Sequence, residues 1–202
     1  MAAHRQGSPP TPRADRVGNS GDGPAHRRYG AAVSEPPAVT LRARTDADLD
    51  VLFEIAGDLD TWEERNPSAP APLTRERFDA RHAARTGGDD VEFVVDVDGR
   101  AVGTVALFGF DPFARHAEAG ISLVPGARGR GIGTAALVQL VEFGFTRRNL
   151  HRIHLQAIAS NTGGLRAYET AGFVLEGRLR EHAWVRGGYE DIVLMGILAP
   201  RR

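Results

Sequence analysis

The chain has 202 residues, 42% of them hydrophobic, enough to bury one core at the usual size of a single domain. Its formal net charge of -1 gives no global pull toward nucleic acid or an anionic membrane, and the absence of cysteine excludes disulfides, thiolate metal sites and a thiol nucleophile. Every basic side chain apart from histidine is arginine, a sign of codon bias rather than of binding.

From Met1 to Ala38 the chain is rich in Pro, Gly, Ser, Ala and Arg and shows no apolar periodicity, so residues 1–38 are expected to be a disordered tail ahead of one folded domain over 39–199. No apolar stretch there has the form of a secretory signal and no later run is long enough to span a membrane, so the expected location is the cytoplasm. Thr40 to Arg44 reads as a first strand. Thr45-Asp46-Ala47-Asp48 then reads as a helix start with acids in its first turn, Leu49, Leu52, Phe53 and Ala56 as the buried face, and Gly57 as the end. Asp58, Asp60, Trp62, Glu63 and Glu64 form an acidic, aromatic segment before the Pro-rich stretch from Asn66 to Pro72. Thr74 to Arg85 reads as a second, mostly polar helix. Val91, Phe93, Val95 and Val97 alternate up to Asp98-Gly99, a strong hairpin signal, and Ala101, Gly103, Val105 and Leu107 return as the partner strand.

After a loop around Asp111-Pro112, Ala117, Ala119, Ile121 and Leu123 alternate with Glu118, Gly120, Ser122 and Val124, the period of a half-buried strand that stops at Pro125. Gly126-Ala127-Arg128-Gly129-Arg130-Gly131 leads directly into a helix whose apolar face is Gly133, Ala136, Leu137, Leu140, Val141 and Gly144. The next strand, Arg152 to Ala159, completes a right-handed parallel crossover with a ligand expected at the strands' C-terminal ends. A glycine-dense loop opening into a helix turns amide N–H groups and the positive end of a dipole toward a ligand, which favours phosphate, and Arg128 and Arg130 add charge. A P-loop needs Gly-Lys-Ser/Thr, yet Gly131 is followed by Ile132 and Gly133. Gly131-Ile132-Gly133-Thr134-Ala135-Ala136 fits a dinucleotide fingerprint, but the strand from Arg152 to Ala159 lacks the acid that pattern requires.

The remaining pattern, Arg/Gln-x-x-Gly-x-Gly/Ala, matches Arg128-Gly129-Arg130-Gly131-Ile132-Gly133, and here the chain resembles the GNAT superfamily of N-acetyltransferases. Asn161 to Phe173 resembles that family's second signature, an Asn, a short helix carrying a Tyr, and a closing Gly-Phe. Glu176-Gly177-Arg178, Gly188-Tyr189, Asp191 and Met195 resemble the branch with ribosomal-protein N-terminal and spermidine acetyltransferases. The resemblance covers about Thr40 to Leu198. It implies a single mixed α/β domain with a mostly antiparallel sheet, one parallel crossover and helices on both faces, of bacterial type, with a final hairpin over Val174 to Val185 and Tyr189 to Leu198.

The resemblance also implies roles. Leu123, Val124, Arg128, Gly129, Arg130, Gly131, Ile132, Gly133, Thr134 and Asn161 are the expected acetyl-CoA contacts, with a backbone N–H near Leu123 or Val124 polarising the thioester carbonyl. Asn161 reads equally as a helix N-cap. Tyr168 is the expected acid for the leaving thiolate, against a plain packing role. Some relatives carry a Glu base where this chain has Gln156, and a neutral amide takes no proton, so Glu118 or a water is the expected base. The acidic segment from Asp58 to Glu64 reads equally as part of the acceptor site or as a solvated loop. His151 and His154, three apart on a strand, face opposite sides and make no metal pair. His182 and Trp184 share a face of the last hairpin, and Ser122 lacks the partners of a nucleophile. The expected activity is direct acetyl transfer from acetyl-CoA to a primary amine on a protein N-terminus, a polyamine or a small molecule, without metal, nucleic acid or membrane and with a homodimer admitted. The alternative is a non-catalytic acyl-CoA sensor.

Overall fold

The computed structural model describes residues 38–59, 62, 71–84 and 89–200. The tail expected over 1–38, apart from Ala38, and the acidic residues Asp60, Glu63 and Glu64 lie outside the described residues. The strands are β1 (Val39–Arg42), β2 (Val91–Val97), β3 (Arg100–Asp111), β4 (His116–Leu123), β5 (Arg152–Ile158), β6 (Val174–Val185) and β7 (Gly188–Leu198). The helices are α1 (Leu49–Gly57), α2 (Arg75–Ala84), α3 (Ile132–Arg147) and α4 (Thr162–Thr170). The strands form one sheet in the order β1-β2-β3-β4-β5-β7-β6. Every neighbouring pair is antiparallel except β4 and β5, which α3 joins as a parallel crossover.

Alternation decides which face of each strand is buried. Val95, Val105, Leu107, Ala117, Ile153 and Leu155 face α3, whose Ile132, Ala136, Leu137, Leu140 and Val141 recur at helical spacing and close the main core. Gly144 lets the helix lie close to the sheet, since a Cβ there would come within 2.7 Å of Ile153 Cδ1 and 3.2 Å of Leu107 Cδ1. A second cluster, Leu52, Ile55 and Phe78, joins α1 to α2 and reaches Val124 at the end of β4. A third, Ile158, Ala183, Val185 and Ile192, supports the β6–β7 hairpin.

Around the first strand, two boundaries differ from the sequence reading. The first strand is Val39–Arg42 rather than Thr40 to Arg44, and Asp46–Asp48 form a 3-10 turn before α1 begins at Leu49. One side chain accounts for both. Arg42 donates from Nε to Asp96 on β2 at 2.8 Å and from both terminal nitrogens to Asp48 at 2.8 Å, so the strand ends where its guanidinium clamps the turn. Asp48 also accepts from the Thr45 N–H at 2.7 Å, completing a capping box. The Arg42 guanidinium holds the buried Asp48 carboxyl far below the usual carboxylate range. In α1 the fully buried pair is Leu52 and Ile55, with Leu49, Phe53 and Ala56 half-buried beside them.

Candidate active site

The site begins where two parallel strands stop pairing. β4 and β5 are in register only at His116/Arg152, Ala117/Ile153 and Glu118/His154, although β4 runs on to Leu123 and β5 to Ile158. Beyond Glu118 the two strands splay, and their facing backbone groups form no ladder with each other. The register identifies those groups. Val124 donates its N–H to Val102 O at 2.9 Å, so the even-numbered residues at this end of β4 turn their amides toward β3. Ile121 and Leu123 therefore turn theirs into the splay. On β5 the Ala159 N–H bonds Asp191 O on β7 at 2.9 Å, which by the same alternation turns the backbone of Gln156 toward β4. The sequence left Leu123 and Val124 as alternatives for the donor to a thioester carbonyl. The Val124 N–H is bonded to β3, and Leu123 is the one directed into the splay.

The glycine loop closes the C-terminal end of this opening. Pro125–Ala127 make a 3-10 turn with Ala127 buried beneath it. Gly129 and Gly131 take φ of +69° and +77°, a left-handed backbone that glycine adopts without a Cβ penalty, and Gly131 is the N-cap of α3. The first intrahelical bond there is Ala135 N–H to Gly131 O, so the N–H groups of Ile132, Gly133 and Thr134 point out of the helix end. A Cβ added at Gly133 would meet the side chains of Leu123 and Ile121 at 3.5 and 3.8 Å, so the helix start faces the splayed part of β4. Backbone donors at a helix start and two left-handed glycines favour an anionic group such as a phosphate, next to the gap between the strands. Arg128 donates from Nε to Leu123 O at 3.1 Å and lies 4.0 Å from the Asp58 carboxylate at the end of α1, while Arg130 is exposed. Among the described residues of the acidic segment, Asp58 lies beside the loop.

α4 begins at the end of β5. Asn161 caps it, its Oδ1 accepting from the Gly164 N–H at 2.9 Å, and a side chain at 164 would collide with that amide. Tyr168 lies on the inner face of α4, only 8% exposed, with its ring edge-to-face with Phe173. Glu118 is half-buried on the face of the sheet away from α3, and burial pushes its carboxyl pKa up. Gln156, two residues beyond Glu118's partner His154, is exposed on the same face.

Two arrangements were not visible in the sequence. His154 packs against His116 rather than His151, with ring centroids 5.3 Å apart, and burial chiefly holds the His154 pKa down. Trp184 stacks edge-to-face on its cross-strand partner Tyr189 near the hairpin tip, where both rings are exposed, and His182 is exposed as well. A hollow of about 760 Å³ at the β1 edge is lined by Arg42, Asp48 and Asp96, but their polar atoms are bonded to one another and to Ala43, Thr45 and Gly99, so the splay is the better candidate. Among the described residues no cluster of three or more His, Asp or Glu is placed to hold a metal, and no helix is long and apolar enough to cross a membrane.

Comparison with known proteins places this strand-loop-helix turn and the splay beside it in a family. The profile of the Acetyltransferase (GNAT) domain family matches residues 38–174, and the chain belongs to that family. It is 35% identical over 107 residues to spermidine N(1)-acetyltransferase of Vibrio cholerae and 32% identical over 101 residues to the putative ribosomal N-acetyltransferase YdaF of Bacillus subtilis. The first match spans 52% of this chain and 62% of the relative, the second 50% and 55%. The crystal structure of the Vibrio cholerae spermidine N-acetyltransferase in complex with CoA and spermine superposes with a TM-score of 0.73 at 26% identity, covering 79% of this chain and 95% of that one.

Proposed function

We propose that the protein is an acetyl-CoA-dependent N-acetyltransferase that moves the acetyl group directly to a primary amine. The observation that carries this reading is the β4–β5 splay, with its unladdered Ile121 and Leu123 amides, opening beside the helix start that follows the glycine loop. Amides of Gly129 to Thr134, with Arg128 and Arg130, would hold the pyrophosphate. Binding there would require Arg128 to turn from Asp58 and from Leu123 O toward the phosphates. Acetyl-CoA supplies an activated acyl group. The amide of Leu123, assisted by Ile121, would polarise its carbonyl as the amine attacks, and Glu118 would take the amine's proton, helped by the proton affinity that burial confers. Tyr168 would return a proton to the departing thiolate, and Asn161 would combine its capping bond with a contact to the cofactor arm.

A cationic acceptor is supported by the relatives named for spermidine and by Asp58 beside the loop. The same reading assigns residues 1–38 as a tail outside the domain, a cytoplasmic location, and a homodimer as an admissible assembly. The test is release of CoA thiol from acetyl-CoA across a panel of polyamines, alkylamines and peptides, with the acetylated product identified by mass. Stoichiometric acetylation of at least one primary amine is expected. Tight acetyl-CoA binding with no thiol release for any amine would instead establish a non-catalytic sensor.

A further inference from the structure

The face of the sheet away from α3 carries an aromatic side chain to which the reaction above gives no role. Val105 and Leu107 on β3 point into the main core, so Phe108 points the other way and is half-buried there. Its partner across the β3–β4 ladder is Glu118, and its ring lies across Gly120, two residues further along β4. A Cβ at Gly120 would come 3.1 Å from Phe108 Cε1 and 3.8 Å from Cζ. Gly120 is not among the glycines with positive φ, so glycine is needed there for space and not for conformation. The ring fills the place a side chain at position 120 would take. It therefore covers the strip between Glu118 and Ser122, which flank Gly120 on the same face and border the splay.

We propose that Phe108 is a positioning and specificity residue of this enzyme, its ring serving as the surface along which the acceptor lies so that its terminal amine meets Glu118 at the splay. The proposal rests on the acetyltransferase reading and deepens it. An aromatic face next to a carboxylate recognises an ammonium group and its adjoining methylenes together, the first by attraction to the ring's negative face and the second by apolar contact. Because the ring already occupies the strip between Glu118 and Ser122, the acceptor has to be narrow along its length. That favours a linear primary alkylamine or polyamine over a peptide N-terminus, whose α-carbon bears a side chain and a carbonyl.

Phe108→Leu keeps apolar bulk and removes the aromatic face, and Gly120→Ala leaves the ring intact but obliges it to shift. For both variants KM and kcat are measured with spermidine, with a linear diamine and with a short peptide, and acetyl-CoA affinity is measured by calorimetry. The KM for the cationic linear amines is expected to rise about 2- to 30-fold in Phe108→Leu, with kcat little changed, no such rise for the peptide and acetyl-CoA affinity retained. Gly120→Ala is expected to change the same constants in the same direction. Loss of packing alone would lower acetyl-CoA affinity or affect all acceptors alike, and either result overturns the proposal. Wild-type turnover with both variants matching it overturns the role of the ring and leaves the acetyltransferase reading standing. Acetyl-CoA binding with no amine acetylated by the wild type removes that reading and this inference with it.

Discussion

Replacing Gly131 with Ala, with Gly99→Ala as its control, separates backbone strain from ligand binding. Gly131 is the α3 N-cap at φ +77°, and Gly99 sits in the β2–β3 hairpin at φ +78°. An added Cβ has nothing within 4 Å at either place, so neither variant makes a clash, and both force an L residue into the left-handed region at about 1–2 kcal/mol. For a domain of this size each kcal/mol lowers Tm by about 2–4 °C, so both variants should melt a few degrees early and by similar amounts. Their affinities should differ. Gly131 orients the outward N–H groups at the start of α3, and losing one charge-assisted hydrogen bond to a phosphate costs about 1.5–3 kcal/mol, or about 10- to 150-fold in Kd. Scanning calorimetry gives the two Tm values and titration calorimetry the two acetyl-CoA affinities. Equal affinities in the two variants, at matched losses of Tm, would refute the assignment of phosphate binding to the loop.

Tyr168→Phe keeps the ring against Phe173 and removes the hydroxyl. Folding and acetyl-CoA affinity should survive while kcat falls, by about 100-fold at most given a good thiolate leaving group, and the alkaline limb of the kcat profile should shift; unchanged turnover with the same limb makes Tyr168 a packing residue. Asp48→Asn should lower Tm at neutral pH because the Arg42 clamp loses its charge partner. The sign follows from the carboxyl's strongly lowered pKa in the fold: its stabilisation is fully present above the unfolded value near 4 and is lost as pH falls from there through the much lower folded-state value, so the Tm gap should narrow progressively below about pH 4, and a pH-independent gap would contradict the clamp. Deleting residues 1–37 should leave Tm and turnover nearly unchanged, and a large loss of either would mean that this segment belongs to the domain.

The glycine loop was legible in the sequence because its signals are local: a period of two, a proline, clustered glycines, then a period near 3.6. The clamp at Arg42 was not, since Asp48 and Asp96 reach it from the next turn and from a different strand. Hydrophobic alternation marked β4 and β5 as strands but carries no information about where their pairing stops, and the splay beyond Glu118 is a property of two strands meeting. For the same reason, the choice between the Leu123 and Val124 amides needed the register with β3. His154 was weighed against His151, its neighbour in the chain, whereas its real partner His116 lies on the adjacent strand. Phe108 did leave a signal, an aromatic out of phase with Val105 and Leu107, but Gly120 beneath it gave no hint that its role was space.

The most direct test of the account is residue-resolved amide exchange by NMR, with and without an unreactive acetyl-CoA analogue whose thioester sulfur is replaced by methylene. Bound analogue should slow exchange at Ile121 and Leu123, which face the splay, and at Ile132 to Thr134 at the start of α3. It should leave Val124, already bonded to Val102 on β3, at its unliganded rate. Alternating protection along β4 would place the acetyl donor between β4 and β5, and unchanged exchange at Ile121 and Leu123 with the analogue bound would contradict it.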